Sequence, residues 1–217
     1  MHKVEVLCDS SSWILKYINN FFEDIGTEYS VKLIHNYTDI SEGVILFILS
    51  YSKIIPKSLI NTCKHALVVH ESDLPSGKGW SPLTWQILEG KNMIPITLFE
   101  ADEGVDSGHI YLKDTMKFAG HELVSDLRKT QASFTFMLCK KFLSNYESIV
   151  KNKAPQRGVV SYYAKRTPID SKLDFNKTIN EQFNLLRVVD NDNYPAFFEH
   201  QGKKYILKIY EKLEPND

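Results

Sequence analysis

Apolar residues in this chain fall into two rhythms that alternate along its first 120 positions. "VEVLCD" (4–9), "SVKLIHN" (30–36), "VILFILSY" (44–51), "HALVVH" (65–70) and "IPITLFEA" (94–101) are short apolar runs with strand composition. Between them the spacing turns helical. Trp13, Ile14, Tyr17, Ile18, Phe21 and Phe22 recur at three and four residues behind the Asp9-Ser10-Ser11-Ser12 turn, which predicts a helix with a serine cap. "SKIIPKSLI" (52–60) predicts a turn into a short helix, and a further helix is expected over 82–90. Strands alternating with helices predict an α/β fold with a doubly wound, mostly parallel sheet. Ligands in such sheets bind beyond the carboxyl ends of the strands. His70 and the "EADEGVDSG" segment (100–108) would then meet at one rim.

The second half reads differently. "HIYLKDTMKF" (109–118) suggests an edge hairpin or extended arm, and Leu123, Leu127, Phe134, Leu138 and Phe142 predict one long helix from Glu122 to about Asn152. Beyond it tyrosine, arginine and proline cluster. A short helix (177–187) and a hairpin turning at Gln201-Gly202 complete a small C-terminal module. The expected division is 1–152 and 153–217.

Charge narrows the partners. With 26 basic and 27 acidic residues the net charge is −1, so no general affinity for nucleic acid or a membrane surface is expected. No apolar run has the length of a signal peptide or a membrane span. Cys8, Cys63 and Cys139 are scattered and odd in number, which argues against a disulfide framework and for a cytoplasmic location.

Several motifs are weak alone. The first strand–helix turn lacks G-x-G-x-x-G, and Gly77-Lys78-Gly79 lacks the spacing of a phosphate-binding P-loop. His70 can be read as a strand-end histidine tethered to Glu71 or Asp73. A metal set of His70, Asp73 and His65 or His109 lacks ligand spacing, so no metal is expected. Asp106, between Gly104 and Gly108, can be read as a turn aspartate.

Jointly they resemble one family. "HESDLP…KGWSPLTWQILEG…IPITLFEADEGVDSGHIY" is similar to the core of formyltransferases that use N10-formyltetrahydrofolate. That pattern has a strand ending Asn-x-His, then Ser-x-Leu-Pro, a glycine-rich turn, a proline opening a helix, and an Asp-x-Gly about 36 residues after the histidine. His70, Ser72, Leu74, Pro75, Gly79, Pro82, Asp106 and Gly108 fall into it, over roughly residues 44–115. The family asparagine is replaced by Val68, with Asn61, Ser72 or a backbone N–H as possible substitutes.

The resemblance implies N10-formyltetrahydrofolate as cosubstrate and His70 and Asp106 as the catalytic pair, Asp106 fixing the histidine tautomer. Leu49, Ser50, Tyr51, Ile54, Glu100, Ala101, Glu103 and Val105 would hold the folate. The C-terminal residues resemble nucleotide-sugar N-formyltransferases, which implies a dTDP-4-amino-4,6-dideoxyhexose acceptor in surface-polysaccharide synthesis. Ser72, Lys78, Gly79, Trp80, Tyr162, Tyr163, Arg166, Arg187, Tyr194 and Phe198 would bind it, with Lys165 as a further cation. A homodimer through the C-terminal hairpin is expected. The alternatives are a methionyl-tRNA-type formyltransferase, a folate-dependent hydrolase, and a folate-binding protein without turnover.

Overall fold

The computed structural model describes residues 3–26 and 28–212. Its elements run β1 (Lys3–Leu7), α1 (Leu15–Ile25), β2 (Ser30–Ile34), β3 (Ile45–Ile48), α2 (Lys57–Ile60) and β4 (His65–His70). They continue with β5 (Lys78–Gly79), α3 (Pro82–Leu88), β6 (Met93–Glu100), β7 (Ile110–Lys117), α4 (Val124–Ser144) and α5 (Tyr146–Lys151). Then come β8 (Tyr162–Tyr163), α6 (Phe183–Val188), β9 (Ala196–His200) and β10 (Lys203–Leu207).

Six strands form one sheet in the order β2-β1-β3-β4-β6-β7. The first four are parallel, as the strand–helix alternation requires. Period-two alternation sends Val4, Val6, Ile45 and Phe47 to one face and Leu7 and Leu46 to the other. On the first face α1 and α4 close the core, with Phe21 stacked on Phe136 at 4.8 Å. Burying a side chain of that size contributes about 1.5–3 kcal/mol. Ile55, with Leu59 and Ile60 of α2, covers the other face.

Strand β6 departs from the parallel expectation. It runs antiparallel to β4, pairing Leu67 with Glu100 and His70 with Thr97. Residues 71–92, which include the seven-residue helix α3, return the chain to the same rim, so that Thr97 pairs with His70. The chain therefore turns at the rim where β4 ends, and β7 pairs antiparallel as the edge strand.

Three smaller expectations also change. The long second-half helix breaks at Asn145, whose φ of −122° and ψ of 30° separate α4 from α5. The helix predicted over 177–187 is α helix only across 183–188, preceded by a 3₁₀ turn at Asn180–Gln182. The serine turn provides no side-chain cap to α1; its N-cap position is Ile14, whose N–H reaches Ser12 Oγ at 3.4 Å.

The C-terminal elements carry their own apolar cluster of Leu173, Leu186, Val189 and Ala196, while Val188 faces the main core. Between those two packing surfaces sits Arg187, only 1% exposed. It donates to the Glu122 carbonyl and carboxylate, to Asn92 Oδ1 and to Asn184 Oδ1, at 2.9–3.2 Å. Four of its five N–H groups are used, so the nucleotide role expected for Arg187 gives way to a structural one. Burial opposes ionisation of Glu122, but the Ala119 and Gly120 N–H groups and Arg187 outweigh it and hold its carboxyl below the ordinary range.

Replacing Arg187 with Met leaves Glu122 and Asn92 without their partner. The expected cost is about 3 kcal/mol, read as a lower urea midpoint at unchanged slope. An unchanged midpoint would show that the pair does not tie α6 to the main domain.

Candidate active site

A cavity of about 500 Å³ opens at the carboxyl ends of β1, β3 and β4, and His70 and Asp106 both line it. His70 is 7% exposed. Its Nε2 lies 2.9 Å from the Gly77 carbonyl, which can only accept, so Nε2 carries the hydrogen. The neutral ring then presents its lone pair at Nδ1. Asp106 Oδ2 is 3.7 Å from Nε2, too far for a hydrogen bond. Gly77 therefore fixes the tautomer in place of Asp106. The plain tether readings also fail: Asp73 pairs with Lys113 on the surface, and Glu71 engages Gln131.

Because β6 is antiparallel, its end at Glu100 faces the middle of β4, away from His70. The 101–109 loop must double back to bring Asp106 to the rim. Three contacts hold it there. Gly79 N–H donates to Asp106 Oδ2 at 2.9 Å. Gln156 Nε2 donates to the carbonyls of Asp106 and Gly108 at 2.8 and 2.9 Å. Gly108 lies so close to the Glu100 carbonyl that a Cβ would fall 1.7 Å from its oxygen. At the loop's base, Glu100 accepts from the Ala66 N–H and Tyr111 hydroxyl and pairs with His65.

Residues 154–163 act as a strap across both loops. Ala154 bridges Ile110, Gln156 clamps the Asp106 loop, Ser161 Oγ accepts from Gly77 N–H, and β8 pairs with β5. Gly79 has φ +96°, and a Cβ there would lie 2.5 Å from the Tyr163 carbonyl oxygen, so only glycine allows this pairing.

The other expected residues divide. Leu49, Ser50 and Tyr51 line the cavity, and the Tyr51 hydroxyl is buried with no partner among the described residues. Ile54 and Val105 are exposed, and Glu103 pairs with Lys57 on the surface. Glu100 and Ala101 anchor the loop by pairing with β4. Of the acceptor set, Gly79, Trp80, Arg166 and Tyr194 line the cavity, as does Lys165, whose Nζ sits 4.6 Å from the Trp80 ring centre. Ser72 and Lys78 are buried in the turn behind the cavity wall. Tyr162 is exposed, and Tyr163 stacks on Trp85 with its hydroxyl on Glu89, which with burial lifts it to about 12. Phe198 packs between Phe175 and Tyr205 in the hairpin.

Sequence reasoning missed Glu71, Gln131 and the Arg128–Asp190 pair, all of which line the cavity. Against the cost of burial, N–H donors from Asn193 and Asp192 and the Arg128 guanidinium hold Asp190 down at about 2. The available signal was the polar spacing Arg128, Gln131, Thr135 on α4, one helix face that the apolar pattern leaves uncovered. Asn61 is exposed at the end of α2 and Ser72 Oγ is buried without a partner. Neither stands in for the family asparagine at Val68. Among the described residues no group of three or more His, Cys, Asp or Glu is placed to hold a metal ion, and no helix is long and apolar enough to cross a membrane.

A mostly parallel sheet with a rim histidine and a looped-back aspartate defines an α/β protein of the formyltransferase-like class. The Formyl transferase family profile matches residues 26–137, and the chain belongs to that family. It is 30% identical over 172 residues to methionyl-tRNA formyltransferase of Caldicellulosiruptor saccharolyticus, covering 77% of this chain and 53% of that one. The chain spans about half the length of the curated relatives it matches. Its fold is similar to methionyl-tRNA formyltransferase from Clostridium thermocellum (TM-score 0.79, 20% identity, 100% and 96% of the two chains). It is also similar to a 4-N formyltransferase from Francisella tularensis (0.74, 18%, 98% and 99%). HypX from Aquifex aeolicus, solved with tetrahydrofolic acid, superposes at 0.73 with 15% identity, over 95% of this chain and 37% of that one.

Replacing Gln156 with Ala removes both clamps on the Asp106 loop. At about 1 kcal/mol net per bond, the Gly79 amide should exchange its hydrogen roughly 30-fold faster. Unchanged exchange would mean that the loop stays in place without the strap.

Proposed function

We propose that this protein transfers a formyl group from N10-formyltetrahydrofolate to the amine of a nucleotide-linked amino sugar. The favoured acceptor is dTDP-4-amino-4,6-dideoxyglucose, used in building surface polysaccharide in the cytoplasm. The observation that carries the transfer is the His70–Asp106 arrangement at the rim of a cavity large enough for extended ligands. The folate fits this site through Leu49, Ser50 and the unpartnered Tyr51 hydroxyl; when bound, it supplies the formyl group as an activated amide.

The chain's own residues handle the proton. An attacking amine sheds one as its bond to the formyl carbon forms, and the lone pair at His70 Nδ1 can take it. The ring can return it to the folate nitrogen as that nitrogen's bond to the formyl carbon breaks. Between the two transfers the ring is cationic, and the Asp106 carboxylate 3.7 Å from Nε2 stabilises that charge. On the acceptor side, Arg166 and Lys165 offer charge for a diphosphate, and Trp80 and Tyr194 offer aromatic faces for a base. We extend the reading to a catalytic part at 1–152 and an acceptor-binding part at 153–217, supported by the separate apolar cluster in the latter. The curated relatives, named methionyl-tRNA formyltransferases, give methionyl-tRNA as the second reading; a net charge of −1 gives little general attraction for a polyanion.

The test is a folate-coupled assay offered both acceptors, with product mass measured. Formylated sugar nucleotide is expected, and His70→Asn and Asp106→Asn should each lower turnover by about 10²–10⁴-fold with unchanged circular dichroism. Formylated methionyl-tRNA alone would replace the acceptor, and wild-type rates in both variants would remove the mechanism.

We also propose a homodimer through the β9–β10 hairpin, where Tyr205 and Ile206 are exposed. Light scattering should give twice the chain mass of 25.0 kDa; a monomer mass at working concentration would exclude it.

A further inference from the structure

The described pair is short of hydrogen to give. His70 spends its Nε2 hydrogen on the Gly77 carbonyl, leaving Nδ1 as an acceptor. Asp106, accepting from Gly79, is an acceptor too. Val68, where the resemblance calls for an amide, contributes only methyl groups to the cavity wall. Acyl transfer accumulates negative charge on the formyl oxygen, and a hydrogen-bond donor aimed at it is among the larger contributions such sites make.

Glu71, the residue after His70, lines the same cavity. It is clamped from two helices. Gln86 of α3 donates to its backbone carbonyl at 2.6 Å, and Gln131 of α4 donates to its Oε1 at 2.7 Å. The amide hydrogen from Gln131 commits Oε1 to accepting, so a proton on this carboxyl must sit on Oε2. No other residue among those described donates to Oε2.

We propose that Glu71 works as a neutral carboxylic acid whose Oε2 hydroxyl donates to the substrate's formyl oxygen, supplying the donor that Val68 lacks. The proposal rests on the formyl-transfer reading above. Burial lifts the Glu71 carboxyl above the ordinary carboxylate range; the His70 ring, the Gln131 hydrogen bond and Glu71's own backbone N–H offset part of that rise, and the Asp106 carboxylate adds to it. The other charged groups on the cavity are Asp9, the Arg128–Asp190 pair, and Lys165 with Arg166. Arg128 is already neutralised by Asp190, and Lys165 lies against Trp80. Glu71 then donates in the same cavity where Asp106 accepts from Gly79.

The sign follows. A donor that depends on a raised carboxyl is present at low pH and lost as pH rises through the titration of Glu71. The experiment compares binding of 10-formyl-5,8-dideazafolate, a stable formyl-bearing analogue, with that of unformylated 5,8-dideazafolate across pH. The wild type should prefer the formyl compound by about 3–10-fold at low pH, the worth of one net hydrogen bond, and lose that preference at high pH. Glu71→Leu should lack the preference at every pH. Glu71→Gln, whose amide donates without titrating, should keep it at every pH and guards against misfolding of the leucine variant. NMR titration of labelled glutamate side chains in the free protein should show Glu71 titrating above the rest. A preference that persists unchanged in Glu71→Leu, or that vanishes only in Tyr51→Phe, would overturn the assignment. Glu71 titrating with the ordinary glutamates would overturn it as well. If neither compound binds the wild type, the folate reading itself fails and takes this proposal with it.

Discussion

One hydrogen bond, from the Gly79 amide to the Asp106 carboxylate, joins the two loops on which the site depends. Strand geometry delivers only one of them to the rim. The turn after β4 leaves the sheet at His70, while the loop after β6 starts from the wrong end of an antiparallel strand. Bringing them together demands close backbone contact, which explains glycine at 79 and 108, where any Cβ would collide with a carbonyl. The strap from Ala154 to Tyr163 then locks both loops from outside. Its position late in the chain means that the two loops are fully held only with residues beyond α5 in place.

The parallel strands were legible because β1 and β3 are apolar and almost wholly buried, and α1 and α2 follow them in the chain. Val4, Val6, Ile45 and Phe47 could hardly be anything but core. The antiparallel turn was not legible, since "IPITLFEA" has the same composition in either direction. Its direction shows only in the pairing of Leu67 with Glu100 and of His70 with Thr97. Arg187 misled for a related reason. An arginine beside Leu185 and Leu186 reads equally as ligand or as buried tie, and its partners Asn92 and Glu122 lie 95 and 65 positions away.

At the site, His70 and Asp106 were legible through their joint spacing, yet their roles were not. The sequence cannot reveal that the Gly77 carbonyl takes the imidazole hydrogen. That one contact passes tautomer control from a carboxylate to the backbone, while Asp106 accepts from the Gly79 amide. Glu71 was visible as a flanking carboxylate, but its partner Gln131 sits 60 positions away on α4. A carboxyl's protonation is set by what encloses it, and enclosure is a property of the fold.

Backbone strain marks the same region independently. Among the described residues, four non-glycine positions have positive φ: Ser50, Ser81, Asp106 and Gln201. Gln201 belongs to the hairpin turn, where such angles are ordinary. The other three line the cavity, each costing on the order of 1–3 kcal/mol. Unpartnered polar atoms fall there too, at the Tyr51 hydroxyl and Arg166 Nε. A fold selected for stability alone would remove both kinds of cost. Their coincidence around His70 indicates that stability is given up where the ends of β1, β3 and β4 meet the strap, and a bound ligand can return part of it by satisfying those groups.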